Sequence, residues 1–290
     1  METRTLQWNW RGHTVCLGAD STGVDPQVLL LPALSSISTR HEMRPLQERL
    51  AGRYSTICVD WPGFGNLARP QIDWVPQAYS EFLSFLLATV IMHPCAIIAA
   101  GHAATYALIR SIQSPQMISR LIMIAPTWRG PLPTMLRGHR PFFDRLRNLV
   151  DVPVLGPLVY RLNVNRLIVR LMAAGHVYSN AGFLMGERLR EKLDVVRAPG
   201  ARFGSVRFVT GRLDPVDSQD EFLDLARRTT VPILLIYGAE TPQKSKAEID
   251  AFAALPRIRG VRLPRGKLSV HEEFPDLVAE AIMPFLSDRS

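Results

Sequence analysis

The residues best suited to nucleophilic or acid–base chemistry lie in separate stretches of this chain. Ser35 and Ser36 follow the apolar run QVLLLPA, His102 lies in AAGHAATYAL, and Glu240 and His271 lie in the final third. Hydroxyl, imidazole and carboxylate groups carry out acyl transfer when a fold brings them within hydrogen-bonding distance of one another. Whether these groups act together therefore depends on the elements that position them.

Short apolar runs alternate with amphipathic helical patterns along most of the chain. This alternation predicts βαβ units and a mostly parallel sheet, preceded by a hairpin that turns at Arg11 and Gly12. The apolar runs are VLLLPA, TICVD, CAIIAA, ISRLIMI, ILLIYG and IRGVRLP.

The alternation stops between residues 128 and 205. This segment contains Pro/Gly-punctuated RGPLPTMLRGHRPFF and the apolar, arginine-interleaved VPVLGPLVYRLNVNRLIVRLMAAGHVY. We therefore predict a core formed by residues 1–127 and 206–290, with residues 128–205 inserted as a basic helical cap.

The composition is that of an ordinary globular protein, with 47% hydrophobic and 21% charged residues among 290. No apolar run approaches the length of a membrane span, and the N-terminus has no signal-peptide pattern. Cys16, Cys58 and Cys95 lack metal-ligand spacing, so we expect reduced, buried thiols in a cytoplasmic protein.

The net charge of +8 is concentrated in one segment. Residues 128–204 contain 13 Lys/Arg and 5 Asp/Glu, whereas the rest of the chain contains equal numbers of each sign. The arginines among the apolar residues of this segment suit a solvated cap surface, a protein partner or an anionic membrane to which the protein binds peripherally. No nucleic-acid-binding motif accompanies the charge, so we expect no nucleic-acid partner.

Several stretches, in this order, resemble the α/β-hydrolase superfamily. They are VLLLPALSS, VDWPGFGNLARP, AAGHAAT, LLIYGAETP and LPRGKLSVHEEFPDLVAEAIMPFL. The resemblance spans nearly the whole chain. It implies an α/β-hydrolase fold, with a mostly parallel sheet flanked by helices and a helical cap insertion.

The same resemblance implies three catalytic positions, and this chain departs from the usual residues at each. Ala103 stands at the nucleophile position of the elbow, where an alanine has no attacking group. The acid position falls on Thr241 or, with a shifted loop, on Glu240. The base position falls on Lys267 or, with another loop path, on His271, although His271 and the glutamates after it also suit the start of the last helix.

The departures at the three catalytic positions change side chains only and leave the backbone N–H groups in place. The resemblance implies an oxyanion hole formed by the N–H of Ala104 and that of Ala33 or Leu34, beside His102 and a helix N-terminus. Ser35, Ser36 and His102 are the side chains that would have to replace the missing nucleophile.

Two functions remain open from the sequence. The first is a non-hydrolytic or weakly active protein that binds a small apolar, carbonyl or carboxylate ligand, or a partner, under the basic cap. The alternative is an active, esterase-like hydrolase with an unconventional nucleophile and base. We expect neither a metal nor a nucleotide cofactor, because the chain lacks HExxH, P-loop and three-glycine phosphate motifs.

Overall fold

A computed structural model describes residues 1–288 of the chain. Its centre is an eight-stranded sheet in the order β1-β2-β4-β3-β5-β6-β7-β8. The strands are β1 Glu2–Trp10, β2 His13–Thr22, β3 Val28–Leu31, β4 Thr56–Val59, β5 Cys95–Ala100, β6 Ile118–Ile124, β7 Ile233–Gly238 and β8 Ile258–Leu263.

The first two strands form the predicted hairpin, which turns at Arg11 and Gly12, both with positive φ. Strand β2 also pairs antiparallel with β4, and all pairings from β4 through β8 are parallel. The mostly parallel sheet expected from the sequence is therefore confirmed. Because the carboxyl ends of parallel strands meet at one edge, the loops after β3, β5 and β6 gather there.

Helices cover both faces of the sheet because successive strand residues point to opposite sides. In β3, Leu29 and Leu31 belong to one apolar cluster, whereas Val28 and Leu30 belong to the other. The first face carries α2 Pro76–Phe85, α3 Ala103–Gln113, α10 Gln219–Arg228 and α11 Gln243–Ala253, and the second carries α1 Arg44–Leu50, α12 Val270–Glu273 and α13 Pro275–Ser287.

The segment between β6 and β7 contains several helices joined by short loops, and we keep the name cap for its residues 128–209, up to the end of the last helix before α10. Its helices before α10 are α4 Pro131–Leu136, α5 Phe142–Asp151, α6 Leu155–Asn163, α7 Arg166–Met172, α8 Gly186–Arg197 and α9 Ala201–Val209. Helix α9 continues across the predicted boundary at residue 205. Val169, Tyr178, Leu189 and Leu193 help to form a separate small core within this segment.

Cys58 and Cys95 are buried thiols, as expected, but Cys16 is exposed. The first half of β2 is exposed on one side, and Cys16 lies on that exposed side between buried Val15 and Leu17. In the part of the chain that the structure describes, no helix combines the length and apolar character needed to cross a membrane.

Candidate active site

The turn between β5 and α3 is the elbow that the sequence predicts, but its apex lies two residues earlier than expected. Gly101 has the left-handed conformation, with φ of +52°, and His102 precedes the first helical residue, Ala103. The left-handed region favours glycine, so the sharp turn falls on Gly101. Ala103 is fully buried in the first turn of α3 and does not line a cavity at the elbow.

A cavity of about 90 Å³ lies at this elbow, under the cap. Residues of the core supply most of its wall, and α8, α9 and the segment after α7 contribute the rest. The lining residues are Ala33, Leu34, Ser35, Ile37, Ser38, Glu42, Gly101, His102, Thr127, Val177, Tyr178, Lys192, Phe208, Leu268 and Ser269.

Two residues of the cavity wall have a backbone N–H without a hydrogen-bond acceptor in the described structure. Within residues 1–288, the N–H groups of Leu34 and His102 donate no hydrogen bond. The other two expected donors are occupied, since Ala104 N–H donates to Gly101 O at 3.2 Å and Ala33 N–H donates to Glu42 Oε1 at 2.6 Å. The unpaired amide belongs to His102 and not to Ala104 because the apex is Gly101, and His102 is the residue that follows it.

The serines after β3 occupy different surroundings. Ser35 lines the cavity, and its hydroxyl shares a 2.8 Å hydrogen bond with Ser38 Oγ. Ser36 does not line the cavity, and its buried Oγ has no partner among the described residues. Within residues 1–288, neither hydroxyl is hydrogen-bonded to an imidazole, carboxylate or amine that would activate it.

The two candidate acids lie away from the cavity. Thr241 is buried, and its hydroxyl donates to Gly238 O at 2.8 Å, which closes the turn after β7. Glu240 is exposed at the same turn.

The two candidate bases also lie outside the cavity wall. Lys267 Nζ donates to Ala174 O of the cap at 2.6 Å, whereas His271 is fully buried behind the wall. Between them, Leu268 and Ser269 line the cavity. The sequence suggested that His271, Glu272 and Glu273 cap the start of the last helix. In the structure, the two glutamates instead accept hydrogen bonds from Tyr178, Ser179 and Asn180 of the cap.

An ionic cluster that the sequence analysis missed joins the cap to the cavity floor. Lys192 Nζ of α8 lies 3.1 Å from Glu272 Oε2 and 3.6 Å from Glu42 Oε2. Tyr178 donates its hydroxyl to Glu272 at 2.6 Å, and His271 Nε2 lies 3.5 Å from Glu42 Oε1. The sequence held one clue to the role of Lys192, which is the only lysine among the 13 basic residues of 128–204.

Glu42 is held in place by its own helical turn, residues Arg40–Met43. Arg40 donates to Asp60 Oδ2 at 2.6 Å and to Asp20 Oδ1 at 3.1 Å, and all three side chains are buried. These bonds tie the turn to β2 and to the loop after β4. The carboxylate of Glu42, two residues further along the turn, is thereby fixed at the cavity.

The charges of this cluster follow from its contacts. Burial favours the neutral form of Glu42, but the imidazole of His271 and the ammonium of Lys192 outweigh it and lower the pKa of Glu42. Burial likewise opposes the ammonium form of Lys192, yet the carboxylates of Glu272 and Glu42 hold its pKa well above the ordinary value. The cluster therefore contains one ammonium and a buried carboxylate in Glu42 at neutral pH.

His102 has its imidazole in a second buried group, on the side of α3 and the cap. Its Nε2 lies 3.1 Å from Leu213 O and 3.5 Å from Asp214 Oδ1. Burial lowers the pKa of His102 to about 4 and raises that of Asp214 to about 8. Both side chains are therefore largely uncharged at pH 7, and they do not form an ion pair.

No group of three or more His, Cys, Asp or Glu side chains in residues 1–288 has a metal-binding arrangement. The elbow thus offers two free amides, a carboxylate and an ammonium around a small cavity. No serine–histidine–acid relay lies in this part of the described structure.

Comparison with known proteins agrees with this architecture. The chain is 21% identical over 284 residues to 2-(acetamidomethylene)succinate hydrolase of Mesorhizobium japonicum, covering 94% of this chain and 92% of that protein. It superimposes on a hydrolase from Pseudomonas aeruginosa with a TM-score of 0.74 and 16% identity, covering 98% of each chain. A serine hydrolase involved in carbazole degradation gives a TM-score of 0.73 and 16% identity, over 99% of each chain.

The match to the family model extends over most of the sheet and the whole cap. The model described as the Alpha/beta hydrolase family matches residues 28–281, from β3 to the last helix. On this match, and with the strand order and elbow described above, the chain belongs to the alpha/beta hydrolase family.

Proposed function

We propose that the protein is a hydrolase that cleaves a small neutral acyl compound, an ester or an amide, by direct attack of water. The observation that carries this proposal is the meeting of two free amides and the carboxylate of Glu42 at one cavity whose elbow apex is Gly101. The hydrolase relatives support catalysis, and the name of the Mesorhizobium japonicum protein specifies a substrate with an acetamido group.

The amides of Leu34 and His102 suit a carbonyl oxygen. Hydrogen-bond donors fixed where negative charge develops in a tetrahedral intermediate contribute a large share of catalysis in acyl transfer. The N-terminus of α3 begins at the same elbow and adds favourable potential for that charge. A bound carbonyl would therefore be polarised without any side-chain group.

Glu42 suits the role of general base toward water. In the proposed step, Glu42 accepts a proton from water as the water oxygen bonds to the acyl carbon. The bond to the leaving alcohol or amine then breaks, and the leaving group takes up the proton. Gly101 presents no side chain at the apex, so the water occupies the place of a side-chain nucleophile.

The charges and size of the cavity favour a short, neutral substrate. Glu42 and Glu272 place two carboxylates around the single ammonium of Lys192, so a further carboxylate at this wall would be repelled. A volume of about 90 Å³ is well below that of a drug-sized pocket. We therefore favour a short acyl group over the carboxylate ligand considered from the sequence.

The test is hydrolysis of short-chain p-nitrophenyl esters and anilides by wild-type protein and by Glu42→Gln. The glutamine keeps an oxygen for Ala33 N–H but cannot accept the proton of water, so kcat should fall by about 100-fold or more. Glu48→Gln, on the exposed side of α1, is the matched control and should leave the rate unchanged. Turnover should proceed without an initial burst and without labelling by a fluorophosphonate.

The outcomes separate this proposal from a covalent mechanism. Labelling of wild-type protein that disappears in Ser35→Ala would assign Ser35 as nucleophile and would contradict water attack. An unchanged rate in Glu42→Gln would contradict the role of Glu42.

A second candidate is the non-hydrolytic binding protein, which one observation favours. No hydroxyl of the cavity is hydrogen-bonded to an imidazole or carboxylate in the described structure, apart from that of Tyr178, so an activated serine or threonine nucleophile is missing. Absence of turnover on all substrates, together with saturable binding of their non-hydrolysable ketone analogues, would support this second function. Leu34→Pro, which removes one free amide, should then weaken binding.

A further inference from the structure

The cap exposes an unusual amount of apolar surface on two consecutive helices. On α6 and the residue before it, Val154, Leu155, Leu158 and Leu162 are exposed, with spacings that place the leucines on one face. On α7, Leu167 and Leu171 are one turn apart and 65% and 63% exposed. Single exposed leucines are ordinary on protein surfaces, but a set of them on two consecutive helices is typical of a contact surface.

Three arginines lie next to these leucines in the sequence, in a stretch that contains no acidic residue. Arg161 lies on α6, and Arg166 and Arg170 lie one turn apart on α7, each adjacent in sequence to an exposed leucine. None of the three forms a salt bridge or a side-chain hydrogen bond within residues 1–288. No aspartate or glutamate occurs between Asp151 and Glu187, so this surface has an uncompensated positive charge.

A groove of about 530 Å³ adjoins α6 and the two residues that follow its end. Pro157 and Tyr160 of α6, with Val164 after it, form one side, and residues 196–201, from the end of α8 to the start of α9, form the other. Arg161, Arg197 and Arg202 stand among its lining residues. An apolar groove bordered by guanidinium groups matches a molecule that has an anionic head and an apolar chain.

We propose that the exposed face of α6 and α7 docks on an anionic lipid bilayer, with the leucines in the interfacial region and the arginines at the lipid phosphates. Leucine side chains gain free energy by leaving water, and arginines near an anionic surface add an attraction that salt screens. The helices lie in the plane of the interface and do not cross the membrane. This proposal is independent of the reaction proposed above.

Charge complementarity favours this partner over a second copy of the chain. A symmetric dimer through the same face would bring Arg161, Arg166 and Arg170 toward their own copies, and like charges at close range repel. An anionic bilayer, in contrast, supplies phosphates to every arginine at once.

The test is co-flotation of the full-length protein with phosphatidylcholine vesicles, with and without about 30% phosphatidylglycerol. Wild-type protein should float with the anionic vesicles at about 0.01 M salt and dissociate at about 0.5 M salt. Replacing Arg161, Arg166 and Arg170 by glutamine should weaken partition by about 100-fold. Replacing Leu158 and Leu167 by glutamate should weaken it at least tenfold while leaving the thermal transition unchanged, since both side chains are exposed.

A matched variant controls for total charge. Arg257, Arg259 and Arg265 are exposed near β8, on the core, and their replacement by glutamine removes the same charge. This control should bind the vesicles within about threefold of wild type. Equal losses in both triple variants, or no flotation at low salt, would overturn the proposal. So would a dimer detected by light scattering that dissociates in the leucine variant without any vesicle binding.

Discussion

Lys192 of the cap lies 3.6 Å from Glu42 of the core, and this buried ion pair closes one wall of the cavity. The same ammonium lies 3.1 Å from Glu272, which precedes the last helix. Two parts of the core that are far apart in sequence are thereby joined through one cap residue. The position of the cap over the elbow depends on this contact as well as on apolar packing.

We expect Lys192→Met to destabilise the protein by about 3–5 kcal/mol, because it leaves the buried carboxylate of Glu42 and the partly buried one of Glu272 without their counter-ion. Differential scanning calorimetry at pH 7 measures the loss. Lys246→Met is the matched control, since Lys246 pairs with Asp250 one helical turn away on the surface, and it should cost less than about 1 kcal/mol. Equal losses of stability in both variants would contradict a larger contribution from the buried ion pairs of Lys192.

We expect Asp214→Asn to stabilise the protein above neutral pH. Burial raises the folded-state pKa of Asp214 to about 8, so the folded protein keeps a proton that the unfolded chain releases near 3.8. The stability associated with this proton is complete below pH 4 and is lost as the pH rises toward 8. Asparagine retains the oxygen that accepts from Gly130 N–H and removes the titration.

Denaturant unfolding at several pH values checks this expectation. At pH 8, Asp214→Asn should exceed the wild-type free energy of unfolding by roughly 2–4 kcal/mol, and at pH 4 the two proteins should agree. Asp224→Asn, which removes an exposed carboxylate on α10, should show no such divergence. A constant difference at all pH values would mean that Asp214 is ionised in the folded state.

The strands and the elbow could be predicted from the sequence because their signals are local. Continuous apolar runs such as those of β3 and β5 are typical of strands buried on both faces, and small residues surround the sharp turn. The apex was predicted on Ala103 and lies on Gly101, because small residues fill most of positions 99–104 and several registers of the turn are compatible with them.

The cavity wall could not be predicted because it depends on long-range contacts. Glu42, Lys192 and Glu272 come from three distant stretches, and no spacing rule links them. In the loop after β8, attention to Lys267 and His271 missed Leu268 and Ser269, the residues that the loop path brings to the cavity. The assignment of the catalytic positions remains a prediction.

We expect Cys16 to react with iodoacetamide in the native protein and the other two thiols to remain protected. Burial raises the pKa of Cys95 to about 12 and that of Cys58 well above its usual value, so neither forms the reactive thiolate readily. Cys16 is exposed on β2. Mass spectrometry should find one modification in buffer and three in denaturant, and rapid native modification of Cys58 would contradict the packing of β4.

We expect Gly101→Ala to destabilise the protein more than Gly12→Ala. Both glycines have positive φ, so each alanine incurs a backbone cost of about 1–2 kcal/mol. A Cβ at Gly101 would also lie 3.3 Å from Ala33 Cβ, whereas one at Gly12 would meet nothing within 4 Å. The difference between the two variants in chemical denaturation isolates the close approach of Ala33, and equal losses would contradict it.

Gly101→Ser goes one step further, because it places a hydroxyl at the apex of the elbow. We expect that hydroxyl to form no fluorophosphonate adduct, since His102 Nε2 lies 3.1 Å from Leu213 O and His271 is fully buried behind Glu42. Serine hydrolases activate the attacking hydroxyl through an imidazole at hydrogen-bonding distance, and a serine without that imidazole is a poor nucleophile toward carbonyl and fluorophosphonate groups. Intact-mass analysis after treatment with a fluorophosphonate should therefore show no adduct in Gly101→Ser. Stoichiometric labelling of the introduced hydroxyl would show that an imidazole reaches the apex, and would contradict the positions of His102 and His271 given above.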